Sequence, residues 1–475
     1  MFKRICNNDT EGKDDKDEYG NSKEVSAFHS MENIQDRIPE MAAKVSSELD
    51  RCIAFWLKHS HDENNGGFFT CLGRDGSIYD TTKYGWTQGR QVWTYAKLYN
   101  EFERFHREDI YNAAIKGAEF IRKHIKDPDT KRCAFSMTAE GKHIKIQRNI
   151  FSECFYVLGM SEMYQASKIE TYKNEALEMM AKILYWTYED STDLGCSLLK
   201  SSGEVKTLAV PMMLLCLADQ LITVNLDSDG TYSKLSERCS LEILKHIQRQ
   251  GFVVLENISL EGEELPGSVG RLMNPGHAIE AGWFLLRYAV QTSNNSLKET
   301  ALMSLIEQPF QTGWDKENGG LFYFLDANGL SPMQLEWNMK LWWPLCESMI
   351  AFLMAYKYTE KDHYLHTFAT IFDYGITHFS DPDYGEWFGY LKQEGQVSQN
   401  FKGGMFKGKK TVLCCFNFRE IDIDAILLWN DMVAVVGLQR IMSIATEGKT
   451  SKKAFFSIVL KYQHTTICIT GEYSV

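Results

Sequence analysis

The stretch Asp62-Glu63-Asn64-Asn65-Gly66-Gly67-Phe68-Phe69-Thr70-Cys71-Leu72-Gly73-Arg74-Asp75-Gly76 reads as a turn, a short strand and a second turn. It decides the fold because it returns. Asp127-Pro128-Asp129 leads to Cys133-Ala134-Phe135-Ser136-Met137 and Glu140-Gly141, and Asp190-Ser191-Thr192-Asp193 leads to Ser202-Gly203-Glu204. A weaker copy covers Glu256-Asn257-Ile258-Ser259-Leu260-Glu261-Gly262. Asp315-Lys316-Glu317-Asn318-Gly319-Gly320 and Asp381-Pro382-Asp383-Tyr384-Gly385-Glu386 complete the set. The copies are roughly 59 to 66 residues apart, and a fixed period of that kind marks a repeat architecture. Each interval holds two amphipathic helices, for example residues 89–106 and 110–125, then 148–166 and 171–188. A helix pair cannot bury both its faces alone, whereas a closed ring of inner and outer helices can. The period therefore predicts an all-α fold, an (α/α)6 barrel with short β-hairpins between helix pairs. Open helical superhelices use repeats of about 34 to 47 residues without the strand hairpin.

Outward from the repeat, residues 1–30 read as a disordered acidic leader, 31–408 as the barrel, and 409–475 as a divergent segment. Ile34, Ile38, Met41, Val45, Leu49, Ile53 and Trp56 carry the first helical period. The chain of 475 residues is 44% hydrophobic and 13% aromatic, enough for a large core. Its net charge of -12 argues against nucleic acid or an anionic membrane as the main partner. No run approaches the roughly 18 apolar residues of a membrane helix, and no amino-terminal signal is seen. The 12 cysteines include no C-x-x-C pair, which fits a reducing, cytoplasmic setting without disulfides or zinc.

Four stretches fall at equivalent points, early in the first helix of a repeat: Lys83-Tyr84-Gly85-Trp86-Thr87-Gln88-Gly89-Arg90, Arg148-Asn149-Ile150-Phe151-Ser152-Glu153, Arg271-Leu272-Met273-Asn274-Pro275-Gly276-His277-Ala278-Ile279-Glu280, and Trp337 to Glu347 with Trp342-Trp343-Pro344. Each combines aromatics with charges. Aromatic faces stack on sugar rings, and Arg, Asn and carboxylates hydrogen-bond hydroxyls. Taken singly, each charge reads equally as a cap or a salt bridge; convergence on one barrel rim makes them a site. Lys83, Tyr84, Trp86, Gln88, Asn149, Glu153, Asn274 and Trp343 are the candidate substrate contacts. His277 falls in a first helical turn, with Glu280 three residues on and so on the same face. A carboxylate there can orient the imidazole and choose its protonated nitrogen, while the plain alternative is a capping histidine. His363 and His366 are set aside as surface, and Met339 and Met349 as core.

At these residues the chain resembles the N-acylglucosamine 2-epimerase family, also known as renin-binding protein. The resemblance is carried by Gly67 to Gly76, Gln88-Gly89-Arg90-Gln91-Val92-Trp93, Asn274-Pro275-Gly276-His277, Trp342-Trp343-Pro344 with Glu347, and Asp381 to Leu391. It implies an (α/α)6 barrel, a homodimer, and interconversion of N-acetylglucosamine with N-acetylmannosamine. It implies no required cofactor and no metal, ATP or a related nucleotide as effector, and renin as a further partner. It also implies His277 as one of two acid/base histidines, Glu280 and Glu347 assisting ring opening and orientation, and Arg90 on the reacting oxygen. The family continues from a Gly403-Gly404-x-Phe406-Lys407-Gly408 run to an aromatic-His-Val-Pro-Arg motif that holds the second histidine. This chain reads Lys409-Lys410-Thr411-Val412-Leu413-Cys414-Cys415 instead, and no histidine lies between His378 and His464. Altered splicing or an erroneous gene model after Gly408 accounts for that, and activity is expected to be impaired. Two other readings are a sugar- or protein-binding module without turnover, and a glycoside hydrolase using Glu280 and Glu347.

Overall fold

The structure, a computed structural model, describes residues 34–194, 205–404, 454–462 and 465–473. The acidic leader, residues 195–204 of the third punctuation, Cys414, Cys415 and His464 lie outside these. The described helices are α1 (Ile38–His59), α2 (Gly85–Glu101), α3 (Glu108–His124), α4 (Phe151–Ser167), α5 (Glu170–Tyr188), α6 (Ala209–Thr223), α7 (Thr231–Leu244), α8 (Pro275–Gln291), α9 (Asn295–Thr300), α10 (Gln308–Gly313), α11 (Trp342–Thr359) and α12 (Asp362–His378). A π-helical stretch, Ala301–Glu307, joins α9 to α10.

Helices α2, α4, α6, α8 and α11 pack side by side in that order and form the inner wall. Helices α3, α5, α7, the α9–α10 run and α12 each lean on the inner helix before them in sequence. This is the (α/α)6 barrel pattern the period predicts. Helix α11 is buried over nearly its whole length, as a helix enclosed on both sides must be. Helix α1 joins the outer layer, where Glu48 accepts a hydrogen bond from Trp387 Nε1 at 2.8 Å and Arg37 pairs with Asp373 at 2.7 Å. No described helix is long and apolar enough to cross a membrane. Residues 454–462 and 465–473 pair as an antiparallel hairpin.

The hairpins prove to be joints between repeats. Lys83–Tyr84, ahead of α2, pairs with Ser136–Met137 of the next hairpin. Lys206–Thr207, ahead of α6, pairs with Asn257–Ile258, and Leu272–Met273, ahead of α8, pairs with Leu325–Asp326. Lys340–Leu341, ahead of α11, pairs with Tyr390–Leu391. The lead-in to each of these inner helices is thus tied to the hairpin that follows it, which holds the helix starts in one ring.

Three of the turns share one wiring scheme. Asp62 Oδ1 accepts the amides of Asn64 and Asn65, while its Oδ2 takes Lys83 Nζ at 2.8 Å. Asp315 repeats this with Glu317, Asn318 and Lys340 Nζ, also at 2.8 Å. Asp381 takes the Asp383 amide and Lys402 Nζ at 2.6 Å. Gly66-Gly67 and Gly319-Gly320 both have positive φ, which lets the chain reverse before the strand.

The fourth repeat corrects the sequence reading. His61 bridges Phe68, Lys126 bridges Cys133 and Trp314 bridges Leu321 across the first turn of their hairpins. Ile247 pairs with Val254 at the same spacing, so the fourth first turn is residues 248–253. It lacks the Asp and closes instead through Arg249 and Gln250 at positive φ. Glu256 to Gly262, read as a weaker copy of the whole punctuation, is only the strand and second turn of that hairpin.

Candidate functional site

Each inner helix begins at the same barrel end, and a cavity of about 870 Å³ opens along the inner wall. That size is within the roughly 300–1,000 Å³ of small-molecule sites. Trp86, Arg90 and Trp93 line it from α2, Phe151 and Phe155 from α4, His277, Glu280 and Trp283 from α8, and Trp342 and Trp343 from α11. The hairpins add Phe135, Glu256 and Tyr323, each two residues past the bridged position of its hairpin.

His277 is held from three directions. Asn274 caps α8, its side-chain oxygen accepting the His277 backbone N–H at 3.1 Å, and Pro275 starts the helix where no amide is needed. The ring lies 5.1 Å from that of Trp343. Gly276 makes this approach possible, since a Cβ there would stand 2.7 Å from the Trp343 ring and 2.8 Å from Pro344. Nδ1 meets both Glu256 oxygens, at 3.1 and 3.0 Å. Burial alone would raise the Glu256 carboxyl, but attraction to His277, with a smaller share from His246, holds it below its ordinary value.

Arg90 is 9% exposed, with its guanidinium 4.6 Å from the Trp86 ring and 4.5 Å from Phe155. Burial lowers it to about 10, against the opposing pull of Glu280 and then Glu347, so it stays a cation at neutral pH. Glu347 is fully buried behind the wall and accepts Trp283 Nε1 at 2.8 Å, linking α11 to α8. His277, Arg90, Glu280, Trp86, Asn149 and Trp343 therefore meet on one cavity, while Glu347, which does not line it, acts on Arg90 through its charge.

Five other predicted contacts stand elsewhere, for reasons of packing. Lys83 is fully buried in its pair with Asp62 and also donates to the carbonyls of Gly66 and Ala139. Tyr84 packs behind Phe135, ring to ring at 5.6 Å. Gln88 clamps a strand, accepting from Phe68 N–H at 2.8 Å and donating to Phe68 O at 2.7 Å. Glu153 is sealed into a pair with Arg132 at 2.9 Å. Asn274 serves as the cap of α8. Met339, read as core, packs on the core and also lines the cavity. Sequence reasoning missed Glu256, Phe155 and Tyr323; the hairpin residues were within reach of a strand-alternation argument once the bridged positions were aligned.

At the far end of the cavity, Lys97 pairs with Glu101 at 2.5 Å and Arg287 with Asp219 at 2.7 Å, while Gln220 donates to Glu162 at 2.8 Å. Among the described residues no cluster of three or more His, Cys, Asp or Glu is arranged to hold a metal ion.

The sequence profile of the N-acylglucosamine 2-epimerase (GlcNAc 2-epimerase) family matches residues 67–413. The mouse N-acylglucosamine 2-epimerase is 49% identical over 398 residues, covering 84% of this chain and 95% of that protein. The bovine N-acylglucosamine 2-epimerase is 50% identical over 379 residues, covering 80% of this chain and 90% of that protein. Among solved structures, the cellobiose 2-epimerase of Spirochaeta thermophila superposes with a TM-score of 0.71 at 20% identity, over 83% of this chain and 99% of that one, a likeness of fold.

Proposed function

Because the chain belongs to the N-acylglucosamine 2-epimerase family, a family of carbohydrate 2-epimerases, we propose that it inverts C2 of N-acetylglucosamine and N-acetylmannosamine. The observation that carries this reading is His277 on the cavity wall, its Nδ1 tied to a carboxylate, with the Arg90 cation lining the same space.

The reaction works on the open-chain aldehyde. The bond from C2 to its hydrogen breaks, the proton passes to His277 Nε2, and the electron pair moves into C1–C2 as the carbonyl becomes an enolate. Arg90 is the cation for that enolate oxygen, and burial between two aromatic rings makes its charge count for more than in water. Return of a proton to the opposite face of C2 gives the epimer, with no net oxidation. The family this chain resembles returns that proton from a histidine just after Gly408, a place where this chain has none before His464. Glu280, on the cavity, is suited to moving the ring-opening proton between O5 and O1. Glu347 sets the local field of Arg90. Trp86, Trp343 and Asn149 supply the stacking and hydrogen-bonding wall for the sugar.

The test is hydrogen exchange at C2. N-acetylglucosamine incubated with the chain in deuterated water is expected to gain one deuterium at C2 as N-acetylmannosamine appears. Turnover of a chromogenic glycoside without exchange would point to hydrolysis instead.

A further inference from the structure

We propose that Glu256 is a positioning residue for His277, holding the imidazole with its proton on Nδ1 and strengthening Nε2 as the base that takes the C2 proton. This rests on the proton-transfer role of His277 proposed above. The contact is direct and two-oxygened, at 3.0 and 3.1 Å, and the Glu256 side chain is only 13% exposed. A carboxylate can only accept, so the shared proton sits on Nδ1 and Nε2 carries the lone pair.

The backbone of Glu256 is fixed on both sides. Its N–H donates to Leu272 O at 2.9 Å, in the lead-in to α8, and its carbonyl accepts from Leu208 N at 2.9 Å, at the start of α6. His277 lies only five residues beyond Leu272, so carboxylate and imidazole are set from one joint. Behind them, His246 is 1% exposed, and its Nδ1–H donates to Leu255 O at 2.7 Å while Leu255 N–H donates back to His246 O at 3.0 Å. That exchange keeps the hairpin from rotating.

The other groups around the imidazole are of a different kind. Helix α11 brings the Trp343 ring, and α8 itself brings Glu280. The following hairpin brings Tyr323, whose phenol is pushed up to about 12, first by burial and then by Glu336 and Glu256, and so stays neutral. Burial likewise lowers the His246 imidazole. From α2 comes Arg90, which lines the same cavity. Glu256 is the carboxylate in contact with Nδ1.

The full-length chain carrying Glu256→Gln tests this. The amide keeps an acceptor for Nδ1–H and removes the charge. Nε2 must be unprotonated to accept the C2 proton, so kcat/KM rises with pH through the imidazolium pKa. The carboxylate stabilises imidazolium, so its loss is expected to move that rise to lower pH. The weaker base is expected to lower kcat by about 10- to 100-fold, the usual cost of losing an outer partner of a functional histidine, with KM within about twofold. Glu256→Asp, which keeps the charge, is expected to retain the wild-type pH profile at reduced kcat, and it serves where the amide variant does not fold. A wild-type kcat and profile in Glu256→Gln overturns the inference. So does lost activity with lowered thermal stability and an unmoved profile, or a shifted profile in Glu256→Asp. His277→Asn in the same assay separates the two levels. If it exchanges C2 at the wild-type rate, the proton-transfer reading falls; if it is inert while Glu256→Gln is normal, only the role of Glu256 falls.

Discussion

Replacing Arg90 by Ala removes the cation that faces the developing enolate. In the folded barrel that guanidinium is 9% exposed, packed between Trp86 and Phe155, and acted on by both Glu280 and Glu347. It stays a cation at neutral pH, so its charge is present in every turnover. Loss of one preorganised donor to an oxyanion costs on the order of 10²- to 10³-fold in kcat, about 2.7–4 kcal/mol. Arg90→Ala is expected in that range. Because the charge forms only in the transition state, kcat and kcat/KM should fall together. Arg90→Lys keeps the charge but loses the planar stack on two rings, each such contact being worth about 0.5–2 kcal/mol, and is expected to fall between Ala and wild type. The assay is the rate of C2 deuterium incorporation at saturating and limiting sugar, with thermal melting to confirm folding. A folded Arg90→Ala with kcat within threefold of wild type, or with only KM raised, would refute the reasoning.

Three further outcomes follow from the packing. Lys340→Met leaves Asp315 as a buried unpaired carboxylate, which costs about 3–5 kcal/mol. Over the roughly 360 described barrel residues, at about 2.1 cal/mol/K each, this lowers Tm by about 4–7 °C, and an unchanged melting curve contradicts it. Asp315 is held at about 2, because burial, which raises it, is outweighed by Lys340 and Asn318; Asp62 and Asp381 are lowered in the same way. These depressed carboxylates stabilise the fold fully above about pH 4 and lose that contribution as pH falls toward 2, so Tm measured from pH 5 to 2 should drop steeply, and a flat profile counts against the shared wiring. Gly276→Ala drives a methyl into the Trp343 ring and Pro344, so it should cost about 1–3 kcal/mol and displace the ring packed on His277. Wild-type melting and C2 exchange in that variant would show the close approach to be incidental.

The barrel was readable because an Asp opens all but one of the turns that punctuate it. At Asp62–Lys83 and Asp315–Lys340 the turn Asp caps its own loop and pairs with a lysine just ahead of an inner helix. That lysine also explains the misplaced contact: a charge at a helix entry looks the same in sequence whether it faces the cavity or a buried carboxylate. Gln88 and Glu153 misled in the same way, since their partners are a strand backbone and Arg132, each about 20 residues away. The fourth repeat was misaligned because Arg249 and Gln250 turn the chain without Asp or paired glycines. That shift disguised Glu256 as turn chemistry and hid its position two residues beyond the bridge, where Phe135 and Tyr323 also face the cavity. His277 was readable because Asn274-Pro275-Gly276 dictates a capped helix start with the imidazole in the first turn.

The most direct test of the whole account is C2 deuterium incorporation by His277→Asn beside sugar binding by the same protein, followed through tryptophan fluorescence. The account predicts that N-acetylglucosamine still binds between Trp86 and Trp343 while exchange falls by at least about a hundredfold, the low end of what a positioned acid/base group supplies. Exchange at the wild-type rate in a variant that binds sugar normally would contradict it.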